Sequence, residues 1–168
     1  MCSSLLPAPL LDAGARCGRL LVERGETVAV AEGSGGGLMS SALLAVPGAS
    51  SFFIGGGVIY TRGALDGLLS GRIDRPKGLR GASEPWATHL ATGARAHMAA
   101  DWGLGEGGAA GPSGNPYGDP PGHAWVAAAG PDDRLLTRHV LTGDDDRLAN
   151  MAAFATAGLE LLAEALAG

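Results

Sequence analysis

The sequence predicts a single α/β domain over residues 1–168, built as a layered α/β/α sandwich around a mixed β-sheet. A length of 168 residues suits one domain with a sizeable core. Segments of helical periodicity alternate with short apolar runs, which is typical of layered α/β folds. Near the carboxyl end, two apolar runs flank Gly130-Pro131-Asp132-Asp133. That turn sequence predicts an antiparallel hairpin, so the sheet should be mixed.

Composition narrows the function classes. With 46% hydrophobic and 17% charged residues, the chain should fold rather than stay disordered. A formal net charge of -5 and the lack of a Lys/Arg run argue against a nucleic-acid partner. The first residues lack the pattern of a signal peptide or membrane span. We therefore expect a cytoplasmic protein without membrane contact, in which Cys17 packs inside a helix.

The amino-terminal half of the sequence predicts a helix, a strand, a glycine loop, a second helix, a second strand and a short third helix, in that order. Apolar residues from Leu10 to Leu21 recur at threes and fours, which favours a helix ending near Gly25. Residues 27–31 form an apolar run typical of a buried strand. The later predicted elements are a helix over 38–46, a strand over 52–60 and a short helix over 64–69.

The carboxyl-terminal half begins with a surface connection over 70–82 and a helix from Ser83 to Asp101. The glycine clusters at 103–108 and 111–122 predict loops. The later predicted elements are strands over 123–129 and 135–141 and a closing helix that starts at the acidic run 144–146 and ends near residue 167.

Seven short segments, in order, resemble the motifs of one known family. Ala-Glu-Gly-Ser-Gly-Gly-Gly at 31–37 follows a predicted strand, and Val-Pro-Gly-Ala-Ser stands at 46–50. Gly-Val-Ile-Tyr stands at 57–60, and Gly-Gly-Ala-Ala-Gly-Pro at 107–112. The remaining three segments are 81–84, 120–122 and 143–144. Together they are similar to the C-terminal domain of the CinA (competence/damage-inducible protein) family, with its Ala-Glu-Ser-x-Thr-Gly-Gly and Thr-Gly-Ile-Ala-Gly-Pro motifs, over about residues 8–165.

The resemblance implies an enzyme fold whose catalytic positions have changed. Family members hydrolyse the carboxamide of nicotinamide mononucleotide with a serine nucleophile, a lysine base and helping threonine and tyrosine residues. Here the motif serine falls on Gly33, the lysine on Leu65 and the threonine on Gly107. The chain's one lysine is Lys77, in the predicted connection. An inherited Ser/Lys pair would therefore need a distant loop residue.

Other polar groups near these positions have both functional and structural interpretations. Ser34 is a candidate replacement nucleophile or a loop hydroxyl, and Glu106 is a candidate base or a solvated acid. The glycine loop 33–37 could bind an anion at the next helix start or form a tight turn alone. The family arginine after Gly-Asp falls on Asp145, which leaves Arg147 as the nearest arginine without an assigned role.

Our leading hypothesis is a catalytically degenerate member with a binding or regulatory role for a small pyridine nucleotide. The alternative is an active amidohydrolase on nicotinamide mononucleotide or a related amide, using Ser34, Glu106 or Tyr60. A third hypothesis is an interaction module, with homo-oligomer formation left open. The four histidines show no ligand spacing, so neither a metal nor a cofactor is predicted. The predicted residual pocket comprises Glu32, Gly33, Ser34, Gly36, Gly37, Ser50, Tyr60, Gly107 and Gly108.

Overall fold

A computed structural model describes residues 5–68 and 77–168 of the chain. Within them a five-stranded sheet is covered by helices on both faces. The helices are α1 (Ala8–Arg24), α2 (Leu38–Leu44), α3 (Arg62–Leu68), α4 (Glu84–His97) and α5 (Arg147–Ala167), with a 3-10 turn at Ala49–Ser51. The strands are β1 (Val28–Glu32), β2 (Phe53–Val58), β3 (Trp102–Ala109), β4 (His123–Ala129) and β5 (Leu135–Leu141).

The sheet has the strand order β2-β1-β3-β4-β5 and is mixed. Strands β2, β1 and β3 run parallel, whereas β3, β4 and β5 pair antiparallel. Helices α1, α2 and α5 contact one another on one face, and α4 packs against β1, β3 and β4 on the other. The predicted α/β/α layering and mixed sheet are confirmed, and the hairpin strands have the predicted bounds.

The larger core lies between the sheet and the α1/α2/α5 layer. Leu10 and Leu21 of α1 and Leu159 and Leu162 of α5 are fully buried there. Cys17 lies among them as predicted, and its thiol donates a hydrogen bond to the Leu159 carbonyl oxygen at 3.0 Å. In the described part of the chain, no helix is long and apolar enough to cross a membrane.

The glycine cluster at 103–108 was predicted as a loop, and that prediction is wrong. Those residues form β3, the central strand of the sheet, which pairs with β1 and β4. A Cβ at Gly103 or Gly105 would overlap the backbone carbonyl oxygen of Ala91 or Ala87 in α4. Glycine is therefore required in this strand because the helix backbone lies directly against it.

Two predicted boundaries also move. Strand β2 ends at Val58, so Tyr60 lies just beyond it. Helix α4 ends at His97 instead of Asp101, whose carboxylate accepts a hydrogen bond from the Thr27 backbone N–H at 2.8 Å. Of the predicted connection at 70–82, residues 70–76 lie outside the described residues.

Three predicted helix termini are confirmed, namely the end of α1 and the starts of α4 and α5. Gly25 ends α1 in the left-handed conformation with φ 64°. The Ser83 hydroxyl accepts a hydrogen bond from the backbone N–H of Trp86 and caps α4. Asp146 caps α5 by accepting from the backbone N–H groups of Leu148 and Ala149 at 2.9 and 3.0 Å.

Candidate functional site

Two buried carboxylates lie side by side at the carboxyl ends of β1 and β3. Glu32 ends β1, and its register partner in the parallel strand β3 is Glu106. Residues that pair across neighbouring strands point to the same face of a sheet. Both side chains are fully buried. The sheet topology thus brings together two acids that are 74 positions apart in the sequence.

Each carboxylate accepts hydrogen bonds from the segment that follows β1. Glu32 accepts from the backbone N–H groups of Met39 and Ser40, both at 3.1 Å, and from the Ser40 hydroxyl at 2.8 Å. It therefore occupies the amino end of α2, where negative charge is stabilised. An external anion at this helix start would compete with the protein's own carboxylate.

Glu106 binds the glycine loop itself. Its Oε2 atom accepts from the backbone N–H groups of Gly33 and Gly35 at 3.0 and 2.7 Å. Its Oε1 atom accepts a short hydrogen bond from the hydroxyl of Ser34, which is also buried. The loop therefore folds around an internal anion, which favours the tight-turn interpretation over an exposed anion cradle.

The environment of Glu106 changes its acidity. Burial raises the pKa of this carboxyl to about 7 because a charged group is poorly solvated there. Hydrogen bonds from Ser34 and Gly35 oppose the shift, and the nearby Glu32 charge adds to it. Gly35 lies between the two acids, since a Cβ there would lie 2.9 Å from Glu32 Oε2 and 3.3 Å from Glu106 Oε2.

A cavity of about 240 Å³ opens beside Ser34, and we name it the Arg147 cavity. Ser34, Tyr60, Gly108 and Arg147 line it together with residues from 109–116. The Arg147 guanidinium donates to the Gly111 carbonyl oxygen at 2.8 Å and to the Tyr60 hydroxyl at 3.2 Å. These bonds hold a positive charge at the wall of the cavity that Ser34 also lines.

A second cavity of about 190 Å³ lies on the other side of Tyr60, and we name it the Tyr117 cavity. Its lining combines the apolar and aromatic side chains of Leu65, Trp86 and Tyr117 with the polar residues Thr61 and Arg62. The Arg80 guanidinium lies 5.3 Å from the centre of the Tyr117 ring. Tyr60 therefore contributes to two cavities, one with Arg147 in its wall and one with the aromatic side chains of Trp86 and Tyr117.

The sequence model of one protein family, the CinA C-terminal domain, matches residues 12–166. The chain belongs to the CinA C-terminal domain family. CinA-like proteins from Desulfosudis oleivorans and Prochlorococcus marinus are 38% identical over 155 residues and 41% identical over 112 residues. These alignments cover 90% and 67% of this chain but 37% and 26% of the relatives. The chain thus spans about a third of the length of the curated relatives it matches.

Solved structures from the CinA family show the same fold. The competence/damage-inducible protein CihA from Agrobacterium tumefaciens superposes with a TM-score of 0.88 at 27% identity, covering 99% of this chain and 100% of that one. A CinA superfamily protein from Klebsiella pneumoniae superposes with a TM-score of 0.84 at 26% identity, covering 94% and 98%. The layered architecture is therefore that of solved CinA-family chains of similar length.

Within this CinA domain, the predicted pocket residues are only partly brought together. Ser34, Tyr60 and Gly108 line the Arg147 cavity. Gly36 and Gly37 form the turn before α2 with φ values of 65° and 97°, where glycine is favoured. The remaining predicted residues, Glu32, Gly33, Ser50 and Gly107, lie outside the cavity linings.

These four residues lie outside the linings of the two cavities for different reasons. Glu32 is buried beneath the loop, and Ser50 is exposed before the amino end of β2, at the opposite edge of the sheet from Glu32. A Cβ at Gly107 would lie 2.7 Å from Trp86 Cδ1, so this position faces α4. Gly33 is a buried loop residue whose N–H binds Glu106.

Sequence reasoning assigned no role to Arg147 or Tyr117. Arg147 follows the acidic run that caps α5, so its place at the first helical position was a usable signal. Tyr117 stands in a Gly/Pro-rich segment, whose path the sequence pattern does not define. Across residues 5–68 and 77–168, no group of three potential ligands is placed to hold a metal ion.

Proposed function

We propose that this chain binds a small anionic ligand of the pyridine-nucleotide class across the Arg147 and Tyr117 cavities, without the serine–lysine chemistry of its family. The observation that carries the proposal is the position of Arg147. Its guanidinium is fixed by Gly111 and Tyr60 and still lines a cavity, as expected for a residue that recognises phosphate.

The adjoining Tyr117 cavity supports a ligand with two parts. Aromatic side chains around a small cavity favour a flat ring, and Tyr60 contributes to both compartments. A mononucleotide joins a phosphate to a planar base through a ribose. Such a ligand could place its charge beside Arg147 and its ring beside Trp86 and Tyr117.

The residues at three positions support the absence of inherited catalysis. Gly33 and Gly107 carry no hydroxyl, and Leu65 is a 2% exposed apolar residue in the wall of the Tyr117 cavity. Lys77 lies in an exposed turn and is not part of either cavity lining. A serine activated by a lysine base therefore has no candidate pair in these walls.

Titration calorimetry with nicotinamide mononucleotide tests the binding. We expect saturable binding to the wild-type chain and a loss of about 10-fold or more in affinity for Arg147→Ala, because a charge-assisted bond to phosphate is removed. Arg19→Ala, which changes an exposed arginine of α1, is the matched control and should bind as wild type. No binding at millimolar ligand, or equal affinity for both variants, would contradict the proposal.

An ammonia assay tests the chemistry. Nicotinamide mononucleotide incubated with the chain should release no ammonia at a rate comparable to an active family member assayed in parallel. A comparable rate would show that the family reaction operates and would overturn this part of the proposal.

A further inference from the structure

Ser34 and Glu106 form a contact that the proposed binding function does not use. Ser34 is a 5% exposed residue whose hydroxyl donates its proton toward Glu106 Oε1, while the other carboxylate oxygen is held by two backbone N–H groups. One oxygen of Glu106 thus fixes the loop, and the other faces a hydroxyl. Such an arrangement defines both the position and the direction of a serine side chain.

The same serine lines the Arg147 cavity, so its oxygen can meet a ligand. A Cβ at Gly108 would lie 2.9 Å from Ser34 Oγ. The glycine at this position leaves the hydroxyl accessible from the cavity side. A nucleophile needs this combination of a bonded base on one side and open space on the other.

We propose that Ser34 is a nucleophile and Glu106 its base, and that together they hydrolyse an ester or amide of an anionic ligand held by Arg147. The inference rests on the proposed function, because it needs a ligand in the Arg147 cavity. It differs from the family reaction in its residues and its geometry. Ser34 is one position beyond the motif serine, so it addresses a carbonyl placed differently from the family's carboxamide.

The reaction balances with water as the only co-reactant. Glu106 takes the Ser34 proton as Oγ forms a bond to the carbonyl carbon, giving a tetrahedral intermediate. That intermediate collapses with cleavage of the C–O or C–N bond, and protonated Glu106 gives its proton to the leaving group. Water then attacks the acyl-serine while Glu106 accepts a proton from it, and as the bond between Oγ and the acyl carbon breaks, Glu106 returns that proton to Oγ. The acid is released, and Ser34 and ionised Glu106 are restored.

The acidity of Glu106 suits this role. A base is most effective when its pKa lies near the working pH, and burial raises the pKa of Glu106 to about 7. Proton transfer to and from this carboxyl is therefore balanced near neutral pH. A solvated glutamate would be a much weaker base.

A second serine–carboxylate contact, between Ser40 and Glu32, serves as a control for the effect of the hydrogen bond alone. Ser40 donates to the buried Glu32 at 2.8 Å, which repeats the serine–carboxylate contact. Ser40 is not part of the lining of either cavity. It should therefore be unreactive although its hydrogen bond is of the same kind.

A fluorophosphonate probe and mass spectrometry of the modified peptide test the dyad. We expect the probe to modify Ser34 in the folded wild-type protein, with a rate that rises with pH around a midpoint near 7. Ser34→Ala should remove the adduct, and Glu106→Gln should slow labelling by about 100-fold or more. Ser40→Ala should be labelled at the wild-type rate.

Several results would overturn the dyad. These are no adduct on Ser34 of the wild type, equal labelling of Ser40, or an unchanged rate in Glu106→Gln. If Glu106→Gln fails to fold by circular dichroism, the wild-type pH profile decides, and a profile without a midpoint between pH 6 and pH 8 rejects the base.

Measuring Ser34 labelling with and without nicotinamide mononucleotide also separates this inference from the proposed function. Binding of nicotinamide mononucleotide without labelling of Ser34 rejects the dyad and leaves the binding proposal standing. Labelling of Ser34 that is not slowed by saturating nucleotide rejects the shared cavity on which the inference rests. Labelling that the nucleotide slows supports both.

Discussion

Glu106 is a buried acid whose protonation should change the stability of the fold. Its pKa is about 7 in the folded chain and near its ordinary 4.5 when unfolded. Between these values the folded state holds a proton that the unfolded state has lost, so the free energy of unfolding falls as pH rises from 4.5 to 7. The full effect is about 3 kcal/mol.

Glu106→Gln should remove that dependence. Urea unfolding of wild type and variant from pH 4.5 to pH 8 measures it, because groups remote from Glu106 titrate alike in both proteins and cancel in the difference. Relative to the variant, wild type should lose stability up to about pH 7 and then level off. A difference that does not change across this window would contradict the prediction.

Gly33 and Gly107, at which the motif resemblance predicts hydroxyl residues in the family, differ in the space around them. A Cβ at Gly33 would have its nearest neighbours at 3.4–3.9 Å, an ordinary packing distance. A Cβ at Gly107 would lie 2.7 Å from the buried ring of Trp86. Gly33→Ser should therefore change stability by less than about 1 kcal/mol, and Gly107→Ser should cost about 1–3 kcal/mol.

Urea midpoints of the two serine variants give the comparison. A larger loss for Gly33→Ser than for Gly107→Ser would show that the loop, and not the ring of Trp86, limits what these positions accept.

Residue identities in the site were partly predictable from the sequence. Ser34 and Tyr60 follow from local motifs, because a loop after a buried strand places its side chains at the sheet edge. The pairing of Glu32 with Glu106 does not follow, since it depends on β3 lying next to β1. With β3 taken for a loop, Glu106 was expected to be solvated, whereas it is fully buried.

At the level of elements, β3 and α4 depend on glycine for their close contact. A Cβ at Gly105 would overlap the Ala87 carbonyl oxygen, so Gly105→Ala must push the helix from the sheet. We expect a loss of about 3 kcal/mol or more in unfolding free energy. Gly67→Ala in α3 is the matched control, since nothing lies within 4 Å of a Cβ there.

The control should be neutral or stabilising by up to about 1 kcal/mol, because alanine favours helix over glycine. Thermal and urea unfolding of both variants provide the measurement. Equal stability of the two would mean that α4 can shift without cost, contrary to the packing described.

The close packing of α4 on β3 also explains why the sequence predicts some elements and not β3. Helices with caps and strands with apolar side chains were predicted with nearly correct bounds, because their signals are local. Strand β3 has four glycines among its eight residues, so its periodicity carries no strand signal. Its structure is imposed by pairing with two neighbours and by the helix packed on it.

At the scale of the whole molecule, the reactivity of the Cys17 thiol measures how often the contact between α1 and α5 opens. Burial raises the pKa of this thiol from 9.0 to about 12. At pH 8 the thiolate fraction is therefore about 1000-fold lower than in the unfolded chain. Cys2 is the other of the chain's two cysteines, so it is first changed to serine. In this Cys2→Ser background, a disulfide reagent should modify native Cys17 at least about 1000-fold more slowly than the urea-unfolded protein.

The rate of that reaction should follow the opening of the fold. Adding urea below the unfolding midpoint should accelerate it in proportion to the unfolded fraction. A native rate within 10-fold of the unfolded rate would show that α1 separates from α5 far more readily than its buried contacts indicate.

At this scale the fold class was the most predictable property. Element order and the carboxyl-terminal hairpin define a layered α/β architecture, and short motifs of the CinA type agree with it. The cavities on either side of Tyr60 were not predictable, because they are bounded by loops from four separate parts of the chain. Loop paths depend on tertiary contacts that local sequence does not encode.

The position of Gly35 between two acids limits how this loop can be redesigned. The family motif quoted above has threonine at the equivalent place, and a Cβ there would lie 2.9 Å from Glu32 Oε2 and 3.3 Å from Glu106 Oε2. A threonine at 35 would therefore require at least one of the two buried carboxylates to move. Restoring the family loop sequence thus needs repacking around Glu32 and Glu106, and not a single replacement.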